Sequence, residues 1–299
     1  MLPDSVVLRE VGPRDGLQVE PPLPPEDRAR LVDALLRAGV RVIEVAAFVS
    51  PKAVPAMADA EAVVAALGDR PGVVRTALVA NVRGAERALA AGIDALTVTI
   101  AASPAYNQRN VRMTIEESRR EIAAIAALAA QGGVPVDAVI SCAFGSPYEG
   151  DVPPAEVAAL AAAVVEDGAT SVTLADTTGM ATPRRVDELL AHTGPQVGLH
   201  LHETRGTGLV NLYAGLQAGV RRYDCSVGGL GGSPFAHGAA GNVATEGVVA
   251  LLDDLGVHTG IDLDLLLEAA ALAKELVGHP LPSPVAAAGP RTRLSPPGG

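Results

Sequence analysis

One hydrophobic pattern recurs along the chain: an amphipathic Ala- and Leu-rich segment, a glycine, and then a short run rich in β-branched residues. It occurs as LLRAGVRVIEVA, LAAGIDALTVTI, AAQGGVPVDAVI, VEDGATSVTLAD and LQAGVRRYDCSV. Each glycine stands where a helix would end, because a left-handed backbone costs glycine little. These glycines are Gly39, Gly92, Gly133, Gly168 and Gly219. The runs after them are nearly continuous in apolar residues, which is typical of parallel strands buried on both faces.

Strand-like runs of this kind can be counted along the whole chain. They are VVLREVG, RVIEVAA, VRTALVA, ALTVTIA, VDAVISCAF, SVTLADTTG, VGLHLHET and RYDCSVGG. Helical segments separate them, and the first of these has Pro25 near its first turn, where proline favours a helix start. Alternating strands and helices in this number predict a (β/α)₈ TIM barrel rather than a doubly wound sheet.

The barrel is expected to occupy residues 1–280 as a single domain. Its last part is an extra helix in IDLDLLLEAAALAKELVG. A Pro- and Gly-rich C-terminal tail follows over residues 281–299. Tails of this composition are often poorly ordered, and we expect a flexible tail here.

Composition narrows the class of protein. The 299 residues are 48% hydrophobic, which is ample for a large core. The net charge is −11, and the sequence shows no basic stripe of the kind that a nucleic-acid-binding protein needs. No apolar stretch is long enough for a membrane span. The first residues do not show a basic segment followed by an apolar one, so we expect no signal peptide. Cys142 and Cys225, the only cysteines, lie in apolar runs and are expected to be buried free thiols. We therefore expect a cytoplasmic protein.

The segment HLHETRG contains two histidines, His200 and His202, at the end of an apolar run. Alternate residues of a strand point to the same side, so both imidazoles could hold one metal ion. Taken alone, the motif fits two ordinarily hydrogen-bonded loop histidines equally well. Asp15 and Asn242 follow other strands and should meet them at the carboxyl ends of the barrel strands. Two nitrogens and two oxygens suit magnesium or manganese, with cobalt as a further option, and argue against structural zinc.

Two further carboxylates occupy strand positions. Glu44 lies within an otherwise apolar run and needs a partner, for which Arg14 is the obvious candidate. The pair is either a structural brace or a means of orienting the guanidinium toward a substrate oxygen, and both can hold at once. Asp176 ends the sixth strand.

The other histidines fall into two groups. Those expected on the surface are His192, His258 and His279. His237 lies in the Gly-rich loop GGLGGSPFAHGAAGN and could approach a ligand. Ser233 and His237 could also suggest a hydrolase pair, but the loop is not the strand–turn–helix elbow of such serines.

Several motifs together resemble a known family. In order, they are LREVGPRDGLQVE, IEVAAFVSPKAVPAMAD, SCAFGSPYEG, DTTGMATP, HLHETRGTGLVN and GLGGSPFAHGAAGNVATEG. This combination closely resembles the hydroxymethylglutaryl-CoA lyases, metal-dependent enzymes built on a TIM barrel, over residues Val6 to Gly278.

The resemblance implies a complete set of roles. The implied ligands of the divalent cation are Asp15, His200, His202 and Asn242. Arg14 would contact the thioester oxygen while Glu44 holds it, and Asp176 and His200 would transfer protons. The implied reaction cleaves 3-hydroxy-3-methylglutaryl-CoA into acetyl-CoA and acetoacetate, a step of leucine degradation. Members of the family are often homo-oligomers, dimers or larger.

The chain departs from the family pattern at the mouth of the barrel. Ser233 stands in place of the usual cysteine of GLGGCP, and a serine hydroxyl is far less acidic than a thiol. Glu203 and Arg205 make HETRG out of the common HDTYG, and Ala47 stands where a serine is common. Ser233 would still be able to hydrogen-bond or relay a proton through water. Arg205, Ala47 and His237 are therefore candidates for substrate contacts.

These departures leave other functions open. A sister lyase for citramalyl-CoA or an acyl-CoA with a longer C3 branch would keep the metal chemistry and change the pocket. A condensing synthase of the same superfamily is less favoured, because the chain continues only about twenty residues past its last predicted helix. The last alternative is a catalytically silent metal-binding barrel.

Overall fold

The computed structural model describes residues 2–232 and 241–293, and in these ranges the chain forms a closed parallel barrel. Each strand pairs with the next in the sequence, and the eighth pairs with the first. The strands are β1 (Val7–Glu10), β2 (Val42–Phe48), β3 (Val74–Val79), β4 (Ala95–Ala101), β5 (Val136–Ser141), β6 (Ser171–Ala175), β7 (Gly198–His200) and β8 (Arg222–Cys225). The predicted TIM barrel is confirmed.

Helices follow the strands around the outside of the barrel. They are α1 (Pro25–Arg37), α2 (Ala60–Leu67), α3 (Val82–Ala90), α4 (Pro104–Asn110), α5 (Ile115–Gln131), α6 (Pro154–Glu166), α7 (Pro183–Thr193), α8 (Gly208–Gln217), α9 (Thr245–Asp254), α10 (Leu263–Val277) and α11 (Pro284–Ala288). The extra helix predicted near the C-terminus is α10. The five glycines predicted to end helices all have positive φ angles. No helix within the described ranges is both long and apolar enough to cross a membrane.

Several predicted strands end earlier in the structure than in the sequence pattern. The run VGLHLHET contributes only Gly198–His200 to the barrel, and VDAVISCAF stops at Ser141. Cys142, the next residue, has a φ of 55° and turns the chain out of the sheet. Both cysteines are buried and free, as predicted. The apolar pattern continues past these strand ends because the loops above them are themselves buried.

The start of the C-terminal tail is docked on the barrel, which corrects the expectation that the whole tail is poorly ordered. Ser283 is buried and its backbone N–H donates to the carbonyl of Gly228, 3.2 Å away. Leu281 packs so closely over Gly228 that an added Cβ would lie 2.4 Å from its Cδ1. Just before the tail, His279 Nε2 lies 2.9 Å from the Glu20 carboxylate. A few side chains of the tail pack against the barrel surface. The Pro- and Gly-rich composition of the tail as a whole gives no sign of these individual contacts.

Candidate metal centre and active site

Two histidines lie side by side where β7 opens into the mouth of the barrel. His200 is the last residue of β7, and His202 follows two residues later. Both imidazoles are buried, and their Nε2 atoms are 3.1 Å apart. Two ligand atoms held at right angles about 2.1 Å from one ion would be about 3.0 Å apart. The observed spacing therefore fits two ligands of a single cation.

Asp15 reaches the histidines from a π turn, Gly12–Gly16, directly after β1. In this turn the backbone N–H groups of Asp15 and Gly16 both donate to the carbonyl of Val11, at 2.7 and 3.2 Å. Single π turns of this kind are frequent at functional sites. Asp15 Oδ2 lies 4.0 Å from His200 Nε2, and the ligand atoms of Asp15 and both histidines lie within 4.8 Å of one another.

Asn242 joins this group through the backbone and the side chain. It forms an antiparallel bridge with His202, and its Nδ2 donates to Asp15 Oδ2 at 2.8 Å and to the carbonyl of Leu230 at 3.0 Å. A Cβ at Gly231 would lie 2.5 Å from this Nδ2, so only glycine permits the close approach. Asn242 Oδ1 is buried and has no hydrogen-bond partner among the described residues.

These four side chains, which we call the metal cluster, fit a divalent cation. Two imidazole nitrogens point at each other, and a carboxylate and an orphaned amide oxygen complete the set. A buried amide oxygen without a partner is costly, and a cation would compensate it. Nitrogen and oxygen donors without a thiolate suit a hard or borderline ion. The structure thus brings together all four residues that the sequence singled out as ligands.

The protonation states of the cluster agree with this fit. Burial, and then the neighbouring His200, lower the pKa of His202 to about 3, so His202 is neutral at neutral pH. Burial opposes a charge on His200, but the hydrogen bond and charge of Asp224 prevail and raise its pKa. Burial also works against the Asp15 carboxylate, yet the charges of Arg14 and His200 lower its pKa. Asp15 is therefore a carboxylate with a buried lone pair to offer.

The Arg14 guanidinium is clamped between two carboxylates beside the cluster. Its Nε donates to Glu44 Oε2 at 2.5 Å, and its Nη1 donates to Asp15 Oδ1 at 2.6 Å. The register of β2 shifts between Glu44 and Ala46, a bulge of the kind that redirects side chains near active sites. Burial would lower the pKa of Arg14, but the charges of Glu44 and Asp15 raise it, so the cation persists. The expected Glu44–Arg14 contact is present.

Asp176 stands at the end of β6 with one free oxygen. Its Oδ1 accepts a hydrogen bond from Ala181 N at 2.9 Å, whereas Oδ2 is buried and has no partner among the described residues. Its backbone N–H donates to the carbonyl of His200, 2.8 Å away. Burial raises the pKa of Asp176 to about 7, against the hydrogen bonds from Ala181 and Met180. A carboxyl with this pKa can hold or release a proton near neutral pH.

Sequence reasoning missed an ion network directly below the metal cluster. Asp224 on β8 lies 3.0 Å from His200 Nδ1 and accepts two hydrogen bonds from Arg9 on β1. Arg9 also donates to Asp137 on β5, at 2.9 Å. The signal was available, because charged residues interrupt the apolar pattern of VVLREVG, VDAVISCAF and RYDCSVGG just as Glu44 interrupts RVIEVAA.

The residues at family departures lie in different places. Arg205 is exposed, and its Nη1 donates to the carbonyls of Thr178 and Gly179, at 3.0 and 2.6 Å. Ala47 lies on β2 and is buried as part of the apolar core cluster. Ser233 and His237 lie outside the described residues, so the structure does not test them. The surface histidines His192, His258 and His279 are exposed, as expected.

Glu203, the acidic departure in HETRG, has a structural partner. Its carboxylate accepts hydrogen bonds from the backbone N–H groups of Gly208 and Leu209, at 3.2 and 3.1 Å. These N–H groups begin α8 and would otherwise be unsatisfied. The longer glutamate side chain thus serves as the cap of a helix whose first turn lies at the barrel mouth.

Two known proteins are similar to this chain over most of its length. A Pseudomonas aeruginosa protein named 3-hydroxy-3-isohexenylglutaryl-CoA/hydroxy-methylglutaryl-CoA lyase is 46% identical, over 90% of this chain and 91% of its own. The (R)-citramalyl-CoA lyase of Chloroflexus aurantiacus is 42% identical, over 96% of each chain.

A solved structure and a family model also match most of this chain. The structure of an HMG-CoA lyase from Acinetobacter baumannii in complex with coenzyme A and 3-methylmalate superposes with a TM-score of 0.92. It is 40% identical and covers 98% of both chains. The HMGL-like family model matches residues 5–273, which include the whole barrel and every metal-cluster residue. The chain belongs to the HMGL-like family.

Proposed function

We propose that the protein is a divalent-metal-dependent carbon–carbon lyase that cleaves 3-hydroxy-3-methylglutaryl-CoA into acetyl-CoA and acetoacetate. One observation carries the proposal. One mouth of the barrel holds the metal cluster together with Arg14, fixed by its two carboxylates, and Asp176, whose pKa of about 7 suits proton transfer. Relatives of the chain that are 40–46% identical include several hydroxymethylglutaryl-CoA lyases. Leucine degradation is the process in which we place this reaction.

Asp15, His200, His202 and Asn242 would hold the cation, with Mg²⁺ or Mn²⁺ preferred and Co²⁺ as a further option. Bound there, the cation would act as a Lewis acid that makes the tertiary hydroxyl of the substrate more acidic. The chain's contribution is a rigid set of buried donors. Asp15 is held by Arg14, and Asn242 is held by the backbone bridge to His202.

Arg14 would stabilise the charge that forms on the thioester oxygen. Carbon–carbon cleavage of this substrate turns the thioester fragment into an enolate, whose oxygen needs a hydrogen-bond donor. Arg14 keeps N–H groups available after its bonds to Glu44 and Asp15, and the two carboxylates prevent it from turning away. One such fixed donor is worth about 3 kcal/mol in other enzymes.

Asp176 would hold the proton that the reaction moves. Its unpartnered Oδ2 and a pKa of about 7 suit a group that both accepts and returns a proton near neutral pH. His200 lies on the neighbouring strand and would share this role. We assign Ser233 a hydrogen-bonding or relay role in the same transfer, and we place Ala47, Arg205 and His237 near the acyl chain.

A substrate with a longer or different C3 branch is the second candidate. Relatives of similar identity carry names for isohexenylglutaryl-CoA and citramalyl-CoA as well as for the methyl compound. These reactions share the bond that breaks and differ in the group that the pocket must accept. The metal cluster and Arg14 would serve all of them alike.

Purified protein loaded with Mn²⁺ and offered each of these three thioesters would test the proposal. We expect the highest kcat/KM for 3-hydroxy-3-methylglutaryl-CoA, with acetyl-CoA and acetoacetate released in equal amounts. A higher kcat/KM for another of the three thioesters would make that thioester the assigned substrate. Full metal binding without cleavage of any thioester would overturn the lyase assignment. Light scattering on the same sample would measure the oligomeric state, for which we propose a dimer or larger.

A further inference from the structure

Three polar side chains lie at one level on three neighbouring strands inside the barrel. Arg9 on β1 is the register partner of Asp224 on β8, and Asp224 is the register partner of His200 on β7. Arg9 Nε and Nη2 donate to the two oxygens of Asp224, at 2.8 and 2.7 Å. The same carboxylate lies 3.0 Å from His200 Nδ1. A chain of hydrogen bonds therefore connects Arg9 through Asp224 to His200 of the metal cluster.

We propose that Asp224, fixed by Arg9, is a positioning residue that holds His200 in the tautomer protonated at Nδ1 and so leaves Nε2 free to bind a cation. This inference rests on the proposed metal site. A neutral imidazole carries one N–H, and an ionised carboxylate can only accept. The proton of His200 must then lie on Nδ1, and the lone pair of Nε2 faces the other ligands.

The contacts of Asp224 support this role. Arg9 donates to both of its oxygens, so the carboxylate that faces His200 Nδ1 is held in place as a hydrogen-bond acceptor. His202 offers a contrast, because its Nδ1 is buried without a partner among the described residues. A carboxylate thus fixes the tautomer of His200, whereas Nδ1 of His202 has no such partner among the described residues.

Arg9 is itself held from the far side of the barrel. Its Nη1 donates to Asp137, which also accepts hydrogen bonds from the hydroxyls of Ser171 and Thr173, at 2.5 and 2.8 Å. Barrel interiors are ordinarily filled by branched apolar side chains, and taking charges out of water is costly. Stability alone gives no reason for this network. Orientation of a metal ligand does, because partners behind ligating histidines orient them and increase their basicity.

The test compares Mn²⁺ affinity in the full-length wild type, D224N and D137N, measured by electron paramagnetic resonance of free Mn²⁺. An amide at position 224 can donate to the imidazole and so allows the wrong tautomer. We expect the Kd of D224N to rise about 10- to 100-fold. D137N makes the same chemical change one step further from His200: it weakens a bond to Arg9 but leaves both Arg9–Asp224 bonds, so its Kd should rise much less than that of D224N. Wild-type affinity in D224N, or equal losses in both variants, would overturn the proposal.

A second measurement does not depend on any variant folding. Nitrogen-15 NMR of metal-free wild type labelled at histidine, in alkaline solution where His200 is neutral, reports which ring nitrogen carries the proton. The His200 signals, assigned with a His200→Gln sample, should show protonated Nδ1 and bare Nε2. Protonated Nε2 would refute the role of Asp224. If wild type binds no Mn²⁺, the proposed metal site fails, and the NMR result still decides the tautomer.

Discussion

Glu10 offers a sharp test of the electrostatics at the top of β1. Its side chain is fully buried, Oε1 accepts from the backbone N–H groups of Gly12 and Val227, and Oε2 accepts from the Thr245 hydroxyl. Burial outweighs these hydrogen bonds and raises the pKa of Glu10 from 4.5 to about 7. Replacing Glu10 with glutamine keeps the shape and an acceptor oxygen and removes the titration. We therefore expect E10Q to change how stability depends on pH.

The sign follows from where the proton is held. Between pH 4.5 and about 7 the unfolded chain loses the Glu10 proton while the folded chain keeps it. The contribution of this group is therefore fully present below 4.5 and is lost as the pH rises through about 7. One pKa unit corresponds to about 1.4 kcal/mol, so the loss amounts to about 3 kcal/mol. The free energy of unfolding of E10Q minus that of wild type should rise by this amount between about pH 4.5 and about pH 8.

Urea unfolding in EDTA, followed by circular dichroism at several pH values, measures this difference. Subtraction cancels the titration of the other groups, which both proteins share. Glu268 on α10 is exposed, so E268Q serves as the matched control for the same glutamate-to-glutamine change at a site without burial. A flat difference for E10Q would show that Glu10 ionises as freely in the folded protein as in water, and our reasoning about its burial would be wrong.

Other substitutions address the catalytic proposal. His202→Ala removes one of the facing nitrogens and should abolish Mn²⁺ binding and turnover with an unchanged circular dichroism spectrum; full activity would refute the metal assignment. Glu44→Gln loosens the Arg14 clamp and should lower kcat/KM about 100-fold, since small misplacements cost that much, while Mn²⁺ affinity changes little. Ser233→Cys should raise kcat if this residue handles a proton, and an unchanged or lower kcat would show that it does not. Chelation by EDTA should stop turnover and Mn²⁺ should restore it; activity that survives EDTA would contradict metal dependence.

The barrel was predictable because its strands are buried on both faces and its helices end at glycines. Those two signals are local, so RVIEVAA or ALTVTIA can be recognised without knowledge of the rest of the fold. Strand ends were less predictable. The backbone around Leu201 leaves the barrel and pairs with Val243 instead, at 3.0 Å, and a contact so distant in sequence has no local pattern. The docked start of the tail was missed for the same reason.

The metal cluster was predictable for a different reason. Polar residues that follow buried strands must meet at the carboxyl ends of the barrel, so Asp15, His200 and Asn242 could be placed together from topology alone. Asp224 was missed because its importance depends on which neighbour it faces. The rule that singled out Glu44, that a charge within a buried strand needs a partner, applies equally to Arg9 and Asp224.

The backbone bridge between His202 and Asn242 has a consequence for how such a barrel can diversify. The backbone N–H of Glu203 also donates to the Gly241 carbonyl, 3.1 Å away, so the residue just before Asn242 is held against the segment that follows β7. The place of that ligand is therefore set by backbone pairing and not by its own side chain. A laboratory library confined to position 242 would exchange one donor group for another at a fixed point of the barrel mouth, with metal loading as the measure of each replacement.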